Sequence, residues 1–155
     1  MVALDVYMSP ENLPGTEAAR VGKLLGLKES ASLDDILLAD HVASGLDVSA
    51  AEALGTLLGR ASIVGPLIPE ATLRRAKKQR KVLSREMSER LYEVSRVIDA
   101  ASRLYRGDMP AISRFLNRPH PLLHGRAPLD LARSSSAGTD AVINLLRRAE
   151  SGFAV

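Results

Sequence analysis

The sequence predicts an all-α protein: an N-terminal helix-turn-helix-like bundle, joined by a long helix to a small helical C-terminal domain. Three observations carry this. Hydrophobic residues make up 46% of the 155-residue chain, yet only five residues are aromatic. The core must therefore be built from Leu, Ala, Val and Ile, which suits interlocking helices better than aromatic-rich strands. Apolar residues recur at spacings of three and four, most clearly over residues 84–106, and no stretch shows the alternation of a half-buried strand.

Taken in order, residues 1–31 are broken by Pro10, Pro14 and Gly15 and read as a flexible N-terminal arm, with EAARVGKLLGL as its one short helical stretch. Residues 32–83 form the helix-turn-helix-like domain. Ser32 is the expected cap of its first helix, with Asp34 and Asp35 in the first turn and Leu33, Ile36, Leu37 and Val42 as the apolar stripe up to Gly45. His41, between apolar turns, is expected to be partly buried. Ser49 with Glu52 has the spacing of a capping box for a second helix, which carries Ala53, Leu54, Leu57 and Leu58 and stops at Gly59. Pro69 followed by Glu70 starts a third, with the proline expected at its first position.

Residues 84–155 form the C-terminal domain. Its long helix carries Met87, Leu91, Val94, Ile98, Ala101 and Tyr105 on one face, widened by Val97 and Leu104, and ends at Gly107. Asp108 caps MPAISRFLN, in which Ile112, Phe115 and Leu116 share a face. After a serine run and Gly138, TDAVINLLRRAE forms the last helix.

Charge is unevenly distributed. The net charge is +3, but residues 70–85 hold seven basic residues against one acidic, leaving fourteen basic and seventeen acidic residues elsewhere. Such a concentration, on the last of several short helices, is the electrostatic signature of a phosphate-backbone contact. Thr72, Arg74, Arg75, Lys77, Lys78, Arg80 and Lys81 are the candidate DNA-binding residues. The more general alternative is a solvated basic face.

The absence of cysteine excludes disulfides, thiolate metal sites and a cysteine nucleophile, and makes a reducing cytoplasm the expected compartment. The first residues, MVALDVYMSPENLPG, have neither the basic nor the apolar region of a signal peptide, and no apolar run approaches a membrane span. No G-x-S-x-G elbow, P-loop, G-x-G-x-x-G or HExxH pattern occurs, so no catalytic residue and no cofactor is expected.

The densest chemistry is RPHPLLHGRAPLDLA, residues 118–132, with two histidines, two arginines, an aspartate and three prolines. On a helix, His120 and His124 would face one way and suit zinc, but Pro119, Pro121 and Gly125 oppose a helix and only Asp130 is near as a third ligand. The prolines stiffen the segment instead. A rigid loop has little conformational entropy left to lose on docking, which favours a partner-binding surface. Equally, Leu122, Leu123 and Leu129 serve to seal the C-terminal helices onto the core.

These residues carry a resemblance. SERLYEVSRVIDAASRLYRGD, then ISRFLNRPHPLLHGRAPLDLA, then SAGTDAVINLLRRAESGFAV together resemble the C-terminal toxin-binding domain of the MbcA/ParS/Xre antitoxin family, in order and with similar spacing over about half of the chain. GLDVSAAEAL and IPEATLRRAKK are more weakly similar to that family's helix-turn-helix. Phe115 stands where the family has tryptophan, His124 where glycine is common before Gly125, and Ala127 where threonine is usual. Met87–Ser88 matches the family's glutamate–serine pair only in the serine.

The resemblance implies an antitoxin of a bacterial type II toxin–antitoxin system. Its partner would be a RES-domain toxin that consumes NAD or uses it for ADP-ribosylation, held inactive by a C-terminal region that blocks the NAD site. The implied toxin-facing residues are Arg118, His120, Leu123, His124 and Arg126 of the loop, with Leu146, Arg147, Arg148, Glu150, Phe153 and Val155 of the last helix and tail. It also implies an autorepressor that binds operator DNA as a homodimer, since one helix-turn-helix reads too few base pairs alone, and higher hetero-oligomers with the toxin. The alternative is a stand-alone helix-turn-helix transcription regulator whose C-terminal half is a dimerisation domain.

Overall fold

A computed structural model describes residues 2–9, 11 and 13–152. Among these residues every regular element is helical; the only strand-like pairings are isolated bridges, Val64 with Ile68 and His120 with Arg126. The chain divides into two compact units, Met1–Leu13 with Arg96–Val155, and Pro14–Ser95. Residues 1–13 thus belong with the C-terminal unit, and 14–31 with the middle of the chain.

In the unit Pro14–Ser95, Thr16 caps α2 (Glu17–Leu24) by accepting from the Ala19 N–H at 3.2 Å. Ala18, Ala19, Val21 and Leu24 are buried, so this stretch of the expected arm is part of a core. Asp34, not Ser32, caps α3 (Asp35–Ser44), accepting from the Leu37 N–H at 2.8 Å. Ser32 is the last residue of a 3-10 turn, Ser30–Ser32. The buried stripe differs from the expected one: Leu33, Leu38 and Val42 are buried, whereas Ile36 is 70% exposed and Leu37 45% exposed. His41 is exposed rather than partly buried.

Asp47, not Ser49, caps α4 (Val48–Leu58), through the Ser49 N–H at 2.9 Å. The buried face of α4 is Val48, Ala50, Ala51, Leu54 and Leu57, leaving Ala53 and Leu58 half-buried. A single turn, α5 (Arg60–Ile63), leads to α6 (Glu70–Gln79), where Pro69 sits at the N-cap, one position earlier than expected. Leu73 is the one buried α6 side chain among the described residues, so α6 is held chiefly by one anchor on α4 and by surface ion pairs.

The long helix, α7 (Arg85–Leu104), supplies its first turns to this unit and its last to the other. Leu91, Val94, Val97, Ile98 and Ala101 are buried as the periodicity requires, while Met87, Leu104 and Tyr105 are half-buried. Ser88, Ser95, Asp99 and Ser102 are buried as well. Ser88 Oγ accepts the Leu46 N–H at 2.8 Å, satisfying a buried backbone donor in the turn after α3.

In the second unit, α1 (Val2–Asp5) and a 3-10 turn, Val6–Met8, bring Leu4 and Tyr7 into the core. The Tyr7 hydroxyl donates to Asp99 Oδ1 at 2.7 Å. Gly107, with φ +75°, admits this segment: a Cβ there would stand 2.8 Å from the Leu4 carbonyl oxygen. Asp108 caps α8 (Met109–Asn117) as expected, accepting from the Ala111 N–H at 3.3 Å, and Ile112 and Leu116 are buried. Pro128 opens a helix, α9 (Pro128–Ser134), where the sequence suggested a loop. Ser135 caps α10 (Ser136–Glu150), which starts three residues earlier than expected. Gly138 therefore lies inside α10, where a Cβ would collide with the Leu131 carbonyl of α9. That close approach packs α9 on α10.

Candidate functional site

The segment between α8 and α9 is closed by its own backbone. The His120 N–H donates to Arg126 O at 3.1 Å, Gly125 N–H to His120 O at 3.0 Å, and Arg126 N–H to Leu123 O at 3.1 Å. His124 takes a left-handed conformation, φ +56°, at the apex, beyond a 3-10 turn at Pro121–Leu123. His120 is structural: its Nδ1 accepts the Leu122 N–H at 3.1 Å, and its ring meets Phe115 edge-on at 6.4 Å. That Nδ1 lone pair is already in use. No group of three or more His, Asp or Glu among the described residues is placed to hold a metal ion.

The expected partner-facing residues separate into two sets. Arg118, His124, Arg126, Arg147, Arg148 and Glu150 are exposed, and His120 is half-buried. Leu123 is 8% exposed and Leu146 only 1%, so both pack inward and act in the core rather than on the surface. Inward Leu123 fixes the loop, while its neighbour Leu122, 48% exposed, points outward. On α10 the buried face is Val142, Ile143, Leu145 and Leu146, which sets Arg147 and Arg148 in the last turn, where cations favour the helix dipole. Phe153 and Val155 lie outside the described residues.

Beside this loop is a cleft of about 260 Å³. Its floor is aliphatic, from Leu104, Leu145 and Leu146; its rim is Tyr105, Arg114, Phe115, Arg118 and His120. Tyr105 and Phe115 are 6.0 Å apart and tilted by 47°. Arg114 and Tyr105 are absent from the expected site residues. The available signal is the spacing of Arg114 and Arg118, four apart at the end of a helix whose apolar face includes Phe115.

Of the expected DNA-binding residues, Arg74, Arg75, Lys78, Arg80 and Lys81 are exposed and Thr72 is half-buried. Lys77 is also exposed but is paired with Glu52 of α4 at 3.2 Å, and Glu70 with Arg60 at 3.2 Å. The first pair ties α6 to α4, and the second ties it to α5.

Residues 100–152 match the antitoxin Xre/MbcA/ParS C-terminal toxin-binding domain. The match takes in the end of α7, α8, the closed loop, α9 and α10, beginning later than the resemblance at Ser88 suggested. It supports the role of an antitoxin in a toxin–antitoxin pair, a toxin as partner, and a binding protein rather than a catalyst. No curated protein matches the chain. Among the described residues no helix is long and apolar enough to cross a membrane.

Proposed function

We propose that this antitoxin neutralises a RES-domain toxin in the cytoplasm by binding it through the C-terminal unit and covering its NAD site. The match over residues 100–152 is the observation that carries this reading. Its support in the geometry is a preorganised surface: a loop closed by its own hydrogen bonds next to α10, with Arg118, His124, Arg126, Arg147, Arg148 and Glu150 exposed. A surface that is already ordered loses little entropy on docking. Arginines suit carboxylates of a partner, which accept their paired N–H donors. Phe153 and Val155 extend the same end of the chain. The test is co-expression with the product of the adjacent gene, pull-down, and an assay of NAD loss. A stable complex with NAD loss suppressed is expected; a toxin fully active beside an excess of this chain would overturn the reading.

We further propose that the same chain represses its operon as a homodimer, using α6 in a helix-turn-helix with α4. The supporting observation is the cluster of Arg74, Arg75, Lys78, Arg80 and Lys81, all exposed. Lys77 is left to its ion pair with Glu52. Operator binding should weaken steeply with salt, and each phosphate-contacting cation replaced by alanine should reduce the log–log slope by about 1. An unchanged slope in Arg74→Ala/Arg75→Ala/Lys78→Ala would remove α6 as the DNA contact.

A further inference from the structure

Resting on the antitoxin reading, we propose that the cleft between Tyr105, Phe115 and His120 is the anchor site for an acidic segment of the toxin. One large apolar or aromatic side chain enters the cleft, and carboxylates beside it engage Arg114 and Arg118. The two guanidinium groups stand on the rim, neither makes an ion pair among the described residues, and no Asp or Glu lines the cleft. The two guanidinium groups are complementary to carboxylates of a partner. The floor of Leu104, Leu145 and Leu146 offers nothing polar from a side chain, so what reaches it must be apolar.

Size and ring geometry favour a protein side chain over a nucleotide. About 260 Å³ is below the range of roughly 300–1,000 Å³ typical of small-molecule sites. Tyr105 is tilted by 47° to Phe115, and Phe115 meets His120 edge-on, so the three rings do not offer two parallel faces between which a base could stack. An aromatic and arginine rim around a small apolar well is the composition of an interface hot spot. Its walls are fixed in advance, because His120 is held by its bond from the Leu122 N–H and Leu116 and Ile112 root α8 in the core.

The test uses the full chain and the purified product of the adjacent gene, with affinity measured by calorimetry at two salt concentrations. Arg114→Glu/Arg118→Glu changes two exposed side chains and should weaken binding about 100-fold, with less salt dependence than the parent. Ala111→Trp fills the cleft without altering its charge and should weaken binding at least about 10-fold. Circular dichroism melts confirm that each variant is folded. If the parent binds and both variants bind equally well, the cleft is not the anchor, while the antitoxin reading stands. If the parent itself forms no complex, both fall. A parallel titration with ADP-ribose should give no heat; saturable binding abolished by Ala111→Trp would overturn the protein-anchor assignment in favour of a small anion.

Discussion

Tyr7→Phe removes a hydrogen bond that joins residues 92 positions apart. The ring stays, so the packing of a side chain that is 2% exposed is retained, and the donor to Asp99 Oδ1 is lost. A hydrogen bond to a charged partner contributes about 1.5–3 kcal/mol, and a buried acceptor deprived of its donor bears the full desolvation cost. Asp99 is 1% exposed, but Arg103 Nε remains 3.5 Å from its Oδ2, so a counter-charge persists and limits the loss. We expect a destabilisation of about 2 kcal/mol, which for a chain of this size lowers the midpoint by about 4–8 °C. Thermal and urea melts followed by circular dichroism measure it, in the parent and in an Asp99→Ala background. In that background the cost should fall to near zero, giving a coupling above about 1 kcal/mol. A loss below about 0.5 kcal/mol, or one undiminished without Asp99, would refute the role given to the pair.

Three further perturbations follow from the geometry. Asp47→Ala should cost about 1 kcal/mol by uncapping α4. The Ser49 backbone N–H, and then its hydroxyl, hold the Asp47 carboxyl below its ordinary value. The cap's contribution is therefore full above the unfolded value of about 3.9 and is lost as pH falls through the lower folded value; urea melts of parent and variant should converge in acid. Gly138→Ala would gain about 1 kcal/mol from helix propensity alone, but the collision with the Leu131 carbonyl should turn this into a net loss of about 1–3 kcal/mol; a higher melting temperature would contradict the close approach. His120→Ala should speed hydrogen exchange at the Leu122 amide, and His120→Asn, whose side-chain oxygen also accepts from two residues on, should restore part of the protection.

The features legible in the sequence are those decided by near neighbours. The Asp108 cap, the α8 face of Ile112 and Leu116, and the buried centre of α7 follow from spacing alone. Where two residues both suit a cap, as Ser32 and Asp34 do, composition does not separate them; the extended backbone at Asp34 does. Partners far apart are harder to read. Ser88 answers a backbone donor 42 residues away and Asp99 a hydroxyl 92 away, yet both count against burial in any hydropathy pattern. The cleft is hidden for a related reason. Tyr105 and Phe115 read as members of apolar stripes, and nothing local distinguishes the edge of a stripe, left half-exposed, from its centre.

The same long-range packing bears on what the toxin-binding domain is in this chain. The family match spans residues 100–152, but Leu4 and Tyr7, both 2% exposed, lie in the core of the unit that contains it. Gly107 leaves room for their backbone. Deleting a buried leucine side chain costs about 2–5 kcal/mol and a buried aromatic about 3–5. Together these are comparable with the 5–15 kcal/mol that is the whole stability of a typical domain. In addition, Asp99 would lose its Tyr7 donor. The N-terminal segment is therefore a condition for the stable fold of the unit that contains residues 100–152, rather than an appendage to it. Any perturbation of Leu4 or Tyr7 should act on partner binding through the stability of α7 and α8, without touching the proposed binding surface.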